Sequence, residues 1–185
     1  METTAVKTSV KTKWSLDPTH SELAFKVRHM MITNVKGEFR KYDATLVSEG
    51  LDFTKSAIEV TVDASSIFTK DDSRDGHLKS ADFFDVQNYP ELTFSGKSFK
   101  KVDDEEYKLT GILTIKGVSK EIELDVEFGG ISRDPWGNEK VGFTVEGKIN
   151  RKDFGLNWNA ALETGGVLVS DEVKITADVQ FIKQA

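Results

Sequence analysis

Cysteine is absent from the 185 residues, which removes disulfide cross-links, thiol nucleophiles and thiolate metal sites in one step. No apolar run approaches the ~20 residues of a membrane-crossing helix. The opening METTAVKTSVKT lacks the apolar core of a secretory signal. With Met1 as the natural start, the expectation is a cytoplasmic protein, with a flexible tail over residues 1–12 and one domain over 13–185. No basic run offsets the net charge of -6, so phosphate backbones and anionic lipid surfaces should repel the chain, and nucleic acid is excluded as a partner. GxSxG, HExxH and P-loop patterns are missing too, as is any repeat of fixed period. The DFG at Asp153–Gly155 has no glycine-rich loop or HRD to make it a magnesium motif. The reading therefore assigns no catalytic residue, cofactor or metal.

What is present is alternation with period two. Ile122, Leu124, Val126 and Phe128 point one way while Glu121, Glu123, Asp125 and Glu127 point the other. Val173, Ile175, Ala177, Val179 and Phe181 repeat the pattern, as do Val141, Phe143, Val145 and Ile149. Ile58, Val60 and Val62 make a shorter row. Leu23, Phe25, Val27 and His29 line one face of a further strand. Segments near 37–47, 92–100 and 107–116 lean the same way, being rich in Thr, Phe, Ile and Leu. Turn residues join them at 50–52, 103–106, 116–119 and 129–139, and KGVS at 116–119 is short enough for a hairpin. About eight antiparallel strands, each with one polar face, must stack as a sandwich or close as a barrel; their length favours the barrel. Twelve phenylalanines suit its interior, since their rings carry no polar atom to satisfy.

DDSRDGHLKSAD at Asp71–Asp82 places Asp71, Ser73, Asp75, Gly76, Leu78 and Asp82 in the order of an EF-hand calcium loop. Helix-forming runs do not flank it, Lys79 occupies a ligand position, and the last acid is Asp rather than Glu. The alternative is a short helix capped by Asp71 or Asp72 and running to about Ser80, covering one barrel end. His20, His29 and His77 would hold a metal only if the fold gathered them. His29, beside Phe25 and Val27, reads more simply as a hydrogen-bonded interior group.

WSLDPTHSELAFKVRHMMITNVKGEF, RDGHLKSADFFDVQNYPELTF, GILTIKGVSKEIEL and INRKDFGLNW resemble, in that order, blocks of the YceI-like family, the bacterial lipocalin-like polyisoprenoid-binding proteins. The resemblance runs from about Trp14 to Phe181. It implies an all-β fold: an extended, lipocalin-like, eight-stranded antiparallel β-barrel with a short helical crossover at about 71–82. An elongated apolar cavity in such a barrel would take a long-chain amphiphile, such as a polyisoprenoid, an isoprenoid quinone or a similar lipid, for transport or storage. No stable membrane insertion is implied, and a homodimer is allowed. Many members are exported, and the missing signal sequence is a departure from them.

By strand face, Leu23, Phe25, Val27, Phe39, Ile58, Val60, Phe94, Phe143 and Val145 are the expected wall, although each fits a plain core equally well. His29, Arg74, His77 and Arg151 are candidates for a polar headgroup. The two arginines could instead pair locally with Asp75 and Asp153. Two other functions stay open: general acid–base chemistry by His29 with a nearby carboxylate, and a solid barrel with a purely structural role.

Overall fold

The computed structural model describes residues 10–160, 162 and 166–185. The tail expected over 1–12 lies outside this range up to residue 9. From Lys11 the chain is already paired, with Lys11 opposite Glu49, so the ordered domain starts earlier than the Thr/Ser/Lys composition suggests. The strands are β1 (Lys11–Leu16), β2 (Glu22–His29), β3 (Thr33–Phe39), β4 (Tyr42–Glu49), β5 (Asp52–Asp63), β6 (Ile67–Phe68), β7 (Glu91–Lys101), β8 (Glu106–Ile115), β9 (Val118–Arg133), β10 (Glu139–Asn150) and β11 (Val169–Lys183). One helix, α1 (Asp72–Lys79), lies in the β6–β7 crossover.

The hydrogen-bonded order β1-β4-β5-β7-β8-β9-β10-β11 closes on itself, because Trp14 and Leu16 of β1 pair with Lys183 and Phe181 of β11. β2 continues the line of β1 along β11, β3 and β4 form one interrupted line, and β6 extends β5 along β3. The result is an all-β, closed eight-stranded antiparallel barrel. Closure leaves no long unpaired edge.

Two expected segments divide differently. The strand expected over 37–47 breaks at Arg40–Lys41 between β3 and β4. The turn expected over 129–139 is only 134–138, because β9 runs on to Arg133 through a bulge. There Gly130, at φ 109°, takes a conformation closed to most side chains, so the strand bends without ending. Asp134 then receives the backbone N–H groups of Trp136 and Asn138, each at 2.9 Å. KGVS forms the expected hairpin, with Lys116 and Gly117 both at positive φ.

The turns at 50–51, 102–105 and 134–138 lie at one end, called the base. Rings plug this end. Phe53 and Phe143 meet edge to face at 5.5 Å, Phe99 stacks on Tyr107 at 4.6 Å, and Trp14, Phe128 and Phe181 complete the set. Trp14 is fully buried, and its indole N–H donates to Ser48 Oγ at 2.9 Å. The polar atom that such a ring carries into a core is thereby satisfied.

The break between β1 and β2 is stitched by one buried acid. Asp17 starts a single 3-10 turn at Pro18–His20, and its carboxylate accepts from Lys140 Nζ and His20 Nδ1, each at 2.8 Å. The Lys140 hydrogen bond holds its pKa well below the usual carboxylate range; burial opposes this, and Thr19 and His20 add to it. The folded carboxylate therefore stays charged where the unfolded one, near pKa ~3.9, takes up a proton. Its contribution to stability is complete above that value and is lost as pH falls toward the depressed one. Asp17→Asn is expected to lower unfolding free energy at neutral pH by about 1–3 kcal/mol. It should also weaken the acid-side loss of stability, and denaturant titrations across a pH series check both.

Candidate functional site: an apolar cavity with a polar mouth

Above the base plug the barrel is hollow, with a cavity of about 670 Å³. All nine expected wall residues line it: Leu23, Phe25 and Val27 from β2, Phe39 from β3, Ile58 and Val60 from β5, Phe94 from β7, and Phe143 and Val145 from β10. Phe39, Phe94 and Phe143 also pack into buried clusters. The other six are only half-buried, because one side of each faces the hollow rather than protein. A barrel filled solid is thereby excluded. Two inward glycines make room for wall rings, since a methyl group at Gly37 would collide with Phe25 and one at Gly111 with Phe94.

Polar groups gather at the end opposite the base. Arg28, Asp71 and Ser73 both line the cavity and meet solvent, so the hollow opens there. Asp71 caps α1 by accepting from Arg74 N–H at 3.0 Å, and the helix stops at Ser80, as the capping alternative expects. The acids of the calcium-like loop turn to separate partners: Asp75 accepts from the Thr69 backbone at 2.9 Å, and Asp82 meets His77 Nε2 at 2.9 Å. Among the described residues no group of three or more His, Asp or Glu is placed to hold a metal ion.

The four expected headgroup residues all reach this mouth, with different freedom. The His29 imidazole makes no hydrogen bond among the described residues, which corrects the expectation of a bonded interior histidine. No carboxylate partners it there either. Arg74 does not pair with Asp75 directly. Its Nε donates to Thr69 Oγ1 at 2.8 Å and its Nη2 to the Thr69 carbonyl at 2.6 Å, while the Thr69 hydroxyl donates onward to Asp75. Nη1 of Arg74 has no partner among the described residues. His77 sits edge-on to Trp158 and Phe83, with ring centres 4.7 and 5.1 Å away.

Arg151 differs from the other three. It is buried, and it donates to the carbonyls of Ser170, Leu156, Trp158 and Val169 at 2.9, 2.5, 2.9 and 3.2 Å. Burial lowers its pKa from the ordinary value, and Asp171, 4.0 Å away, opposes this. The expected Asp153 pair does not form. A guanidinium spent on four carbonyls ties residues 156–158 to residues 169–170 and has little left for a ligand.

Among the lining residues that the sequence reading did not single out are Arg28, Tyr42, Trp158 and Leu168. Trp158 falls within the quoted block INRKDFGLNW, in a stretch without period-two alternation. Tyr42 lies where β3 gives way to β4, and no pattern marks that break. Its hydroxyl is buried without a partner among the described residues. Burial, then Glu22 and Glu38, pushes its pKa up to about 12, so it stays a neutral donor.

A closed antiparallel barrel of eight strands with an internal apolar site is an architecture able to hold one small hydrophobic ligand. A family model described as the YceI-like domain matches residues 14–181, and the chain belongs to that family. A UPF0312 protein of Staphylococcus aureus (strain bovine RF122 / ET3-1) is 42% identical over 171 residues, spanning 92% of this chain and 97% of the relative. The crystal structure of a Campylobacter jejuni YCEI protein matches with a TM-score of 0.74 and 36% identity, covering 85% of this chain and 90% of the other. Burkholderia cenocepacia BcnA shares the fold at TM-score 0.78 and 22% identity, covering 89% and 98%. So does a polyisoprenoid binding domain from Saccharophagus degradans, at 0.71 and 17%, covering 92% and 98%.

Arg151→Lys is expected to cost about 2–4 kcal/mol, because an ammonium cannot reach four divergent carbonyls and leaves some of them buried and unpaired. Hydrogen exchange should quicken selectively at residues 156–158 and 168–170. Uniform exchange across the barrel would contradict the role assigned to Arg151.

Proposed function

We propose that the protein binds a long-chain amphiphile, with the hydrocarbon tail in the barrel and the headgroup at the mouth, and serves to carry or store it. The observation that carries this reading is the division of the cavity. Its wall is hydrocarbon contributed by every strand row, while its cations gather at one open end. The volume falls within the ~300–1,000 Å³ range of small-molecule sites. Each buried methylene contributes about 0.8 kcal/mol, so ten supply roughly 8 kcal/mol before the cost of immobilising a flexible chain is subtracted. Such contacts discriminate chain lengths poorly. Headgroup chemistry therefore supplies the selectivity, and Arg28 and Arg74 Nη1 favour an anionic or acceptor-rich group such as a pyrophosphate or a quinone. The Saccharophagus degradans domain, described as polyisoprenoid binding, supports an isoprenoid tail.

Organic extraction of the purified protein followed by mass spectrometry is expected to release an isoprenoid-type lipid, and a fluorescent long-chain probe is expected to bind in its place. Val145→Trp fills part of the hollow from a strand whose backbone pairing it leaves intact. It should weaken probe binding by about tenfold or more while the thermal midpoint changes little, since each displaced methylene group forfeits burial free energy. No extractable lipid and no probe binding would defeat the reading.

A further inference from the structure

The hairpin between β2 and β3 breaks two rules at once. Its turn carries Met30, Met31 and Ile32, which are 43, 54 and 73% exposed. Met30 and Met31 hold φ at 52° and 61°, with Ile32 N–H donating to the His29 carbonyl at 3.2 Å. Two successive positive φ values in a three-residue connection suit Asn-Gly, and bulky side chains there are strained. Folding alone gives no reason to place methionines there or to leave them in water. Val167, 39% exposed, adds to the patch, because Met30 N–H donates to the Leu168 carbonyl at 2.8 Å and ties the two loops together. His29 and Leu168, at the roots of the patch, line the cavity mouth.

A basic row lies below this tip on the outer face. Lys36 pairs with Lys26, Lys26 with Lys174, and Lys174 with Lys148, so four strands each contribute one lysine to one line. At ~4.8 Å between strands the row spans about 15 Å. Lys148 has Glu172 at 3.5 Å, and two residues further from the tip the outer face turns acidic at Glu38 and Glu146. Lys26 is four residues from Met30, about 13 Å at ~3.3 Å per residue. A tip buried ~5–10 Å into a bilayer interface would therefore set these ammonium groups near the phosphate plane.

The base offers the contrast. Leu51, Val102 and Trp136 are also exposed there, but each is flanked by acids, at Asp52, at Asp103–Glu106, and at Asp134 and Glu139. The net charge of -6 argues against an anionic surface only at long range. At physiological salt its field is screened within about 8 Å, so the local lysines govern contact.

We infer that the Met30–Ile32 tip and the Lys26, Lys36, Lys148 and Lys174 row form a docking surface for an anionic lipid bilayer, seating the cavity mouth against the membrane. This deepens the amphiphile-binding reading, because an oily tail would then pass between bilayer and barrel without crossing water. No helix among the described residues is long and apolar enough to cross a membrane, and docking of this kind needs none.

Co-sedimentation of the full chain with vesicles of phosphatidylcholine alone, or mixed equally with phosphatidylglycerol, tests it. The native protein is expected to pellet with the mixed vesicles. Met30→Asn with Met31→Gly keeps and relaxes the turn, and should abolish most of the binding. Lys26→Glu with Lys36→Glu should remove the preference for phosphatidylglycerol, each reversal lowering partitioning by about fivefold or more. Trp136→Ser, at the base, should change nothing. Binding that survives the tip variant, or that Trp136→Ser removes, would overturn the inference. So would the absence of vesicle binding in a protein that still takes the fluorescent probe in solution, and this outcome leaves the amphiphile reading standing. Pelleting without probe uptake would support docking and defeat the carrier.

Discussion

Closure of the sheet at one short seam is the constraint on which the rest depends. Trp14 and Leu16 on β1 meet Lys183 and Phe181 on β11, and without these pairs the barrel would be an open, twisted sheet with two bare edges. The seam sits at the base, where the same residues turn into the aromatic plug. Backbone closure and side-chain packing thus reinforce each other at one end. Asp17 extends the repair upward, since β1 cannot follow β11 through the break without a group to receive the loose donors and the Lys140 charge.

Fixing the base so firmly leaves the upper barrel free to be hollow. A hollow costs stability, because wall residues that face it lack partner atoms on one side. Leu23, Phe25, Val27, Ile58, Val60 and Val145 carry that cost, and only an occupant of matching chemistry recovers it. Gly37 and Gly111 belong to the same arrangement: they lower the density of the wall so that Phe25 and Phe94 can lie along it. Stability is therefore graded from base to mouth. Arg151 marks the upper limit, where hydrogen bonds to carbonyls replace packing as the means of holding an irregular segment.

Strand faces were legible in the sequence because period two is a local property, and every apolar residue expected on the wall does face the barrel interior. The short helix was legible for a similar reason, since Asp71 and the acids after it announce a cap within four residues. What the sequence hid depends on contacts between distant segments. Arg151 looked like a partner for Asp153, two residues away, but its real partners are carbonyls at Leu156, Trp158, Val169 and Ser170, and backbone acceptors leave no trace in side-chain patterns. The Arg40–Lys41 break and the Gly130 bulge were hidden because pairing register, rather than propensity, decides where a strand ends or bends.

Charge gives the sharpest case. Lys26, Lys36, Lys148 and Lys174 lie on four separate strands, so no single run of the sequence carries them. Register alone aligns them, since the outward positions of four adjacent strands fall on one line. A single-residue slip of β2 against β11 would turn Lys26 inward and Phe25 and Val27 outward, destroying the basic line and the cavity wall together. The register that hollows the barrel is thus the register that charges its outer face. No substitution that preserved one by shifting strands could leave the other intact, so tail chemistry inside and surface chemistry outside are bound to the same hydrogen-bond ladder.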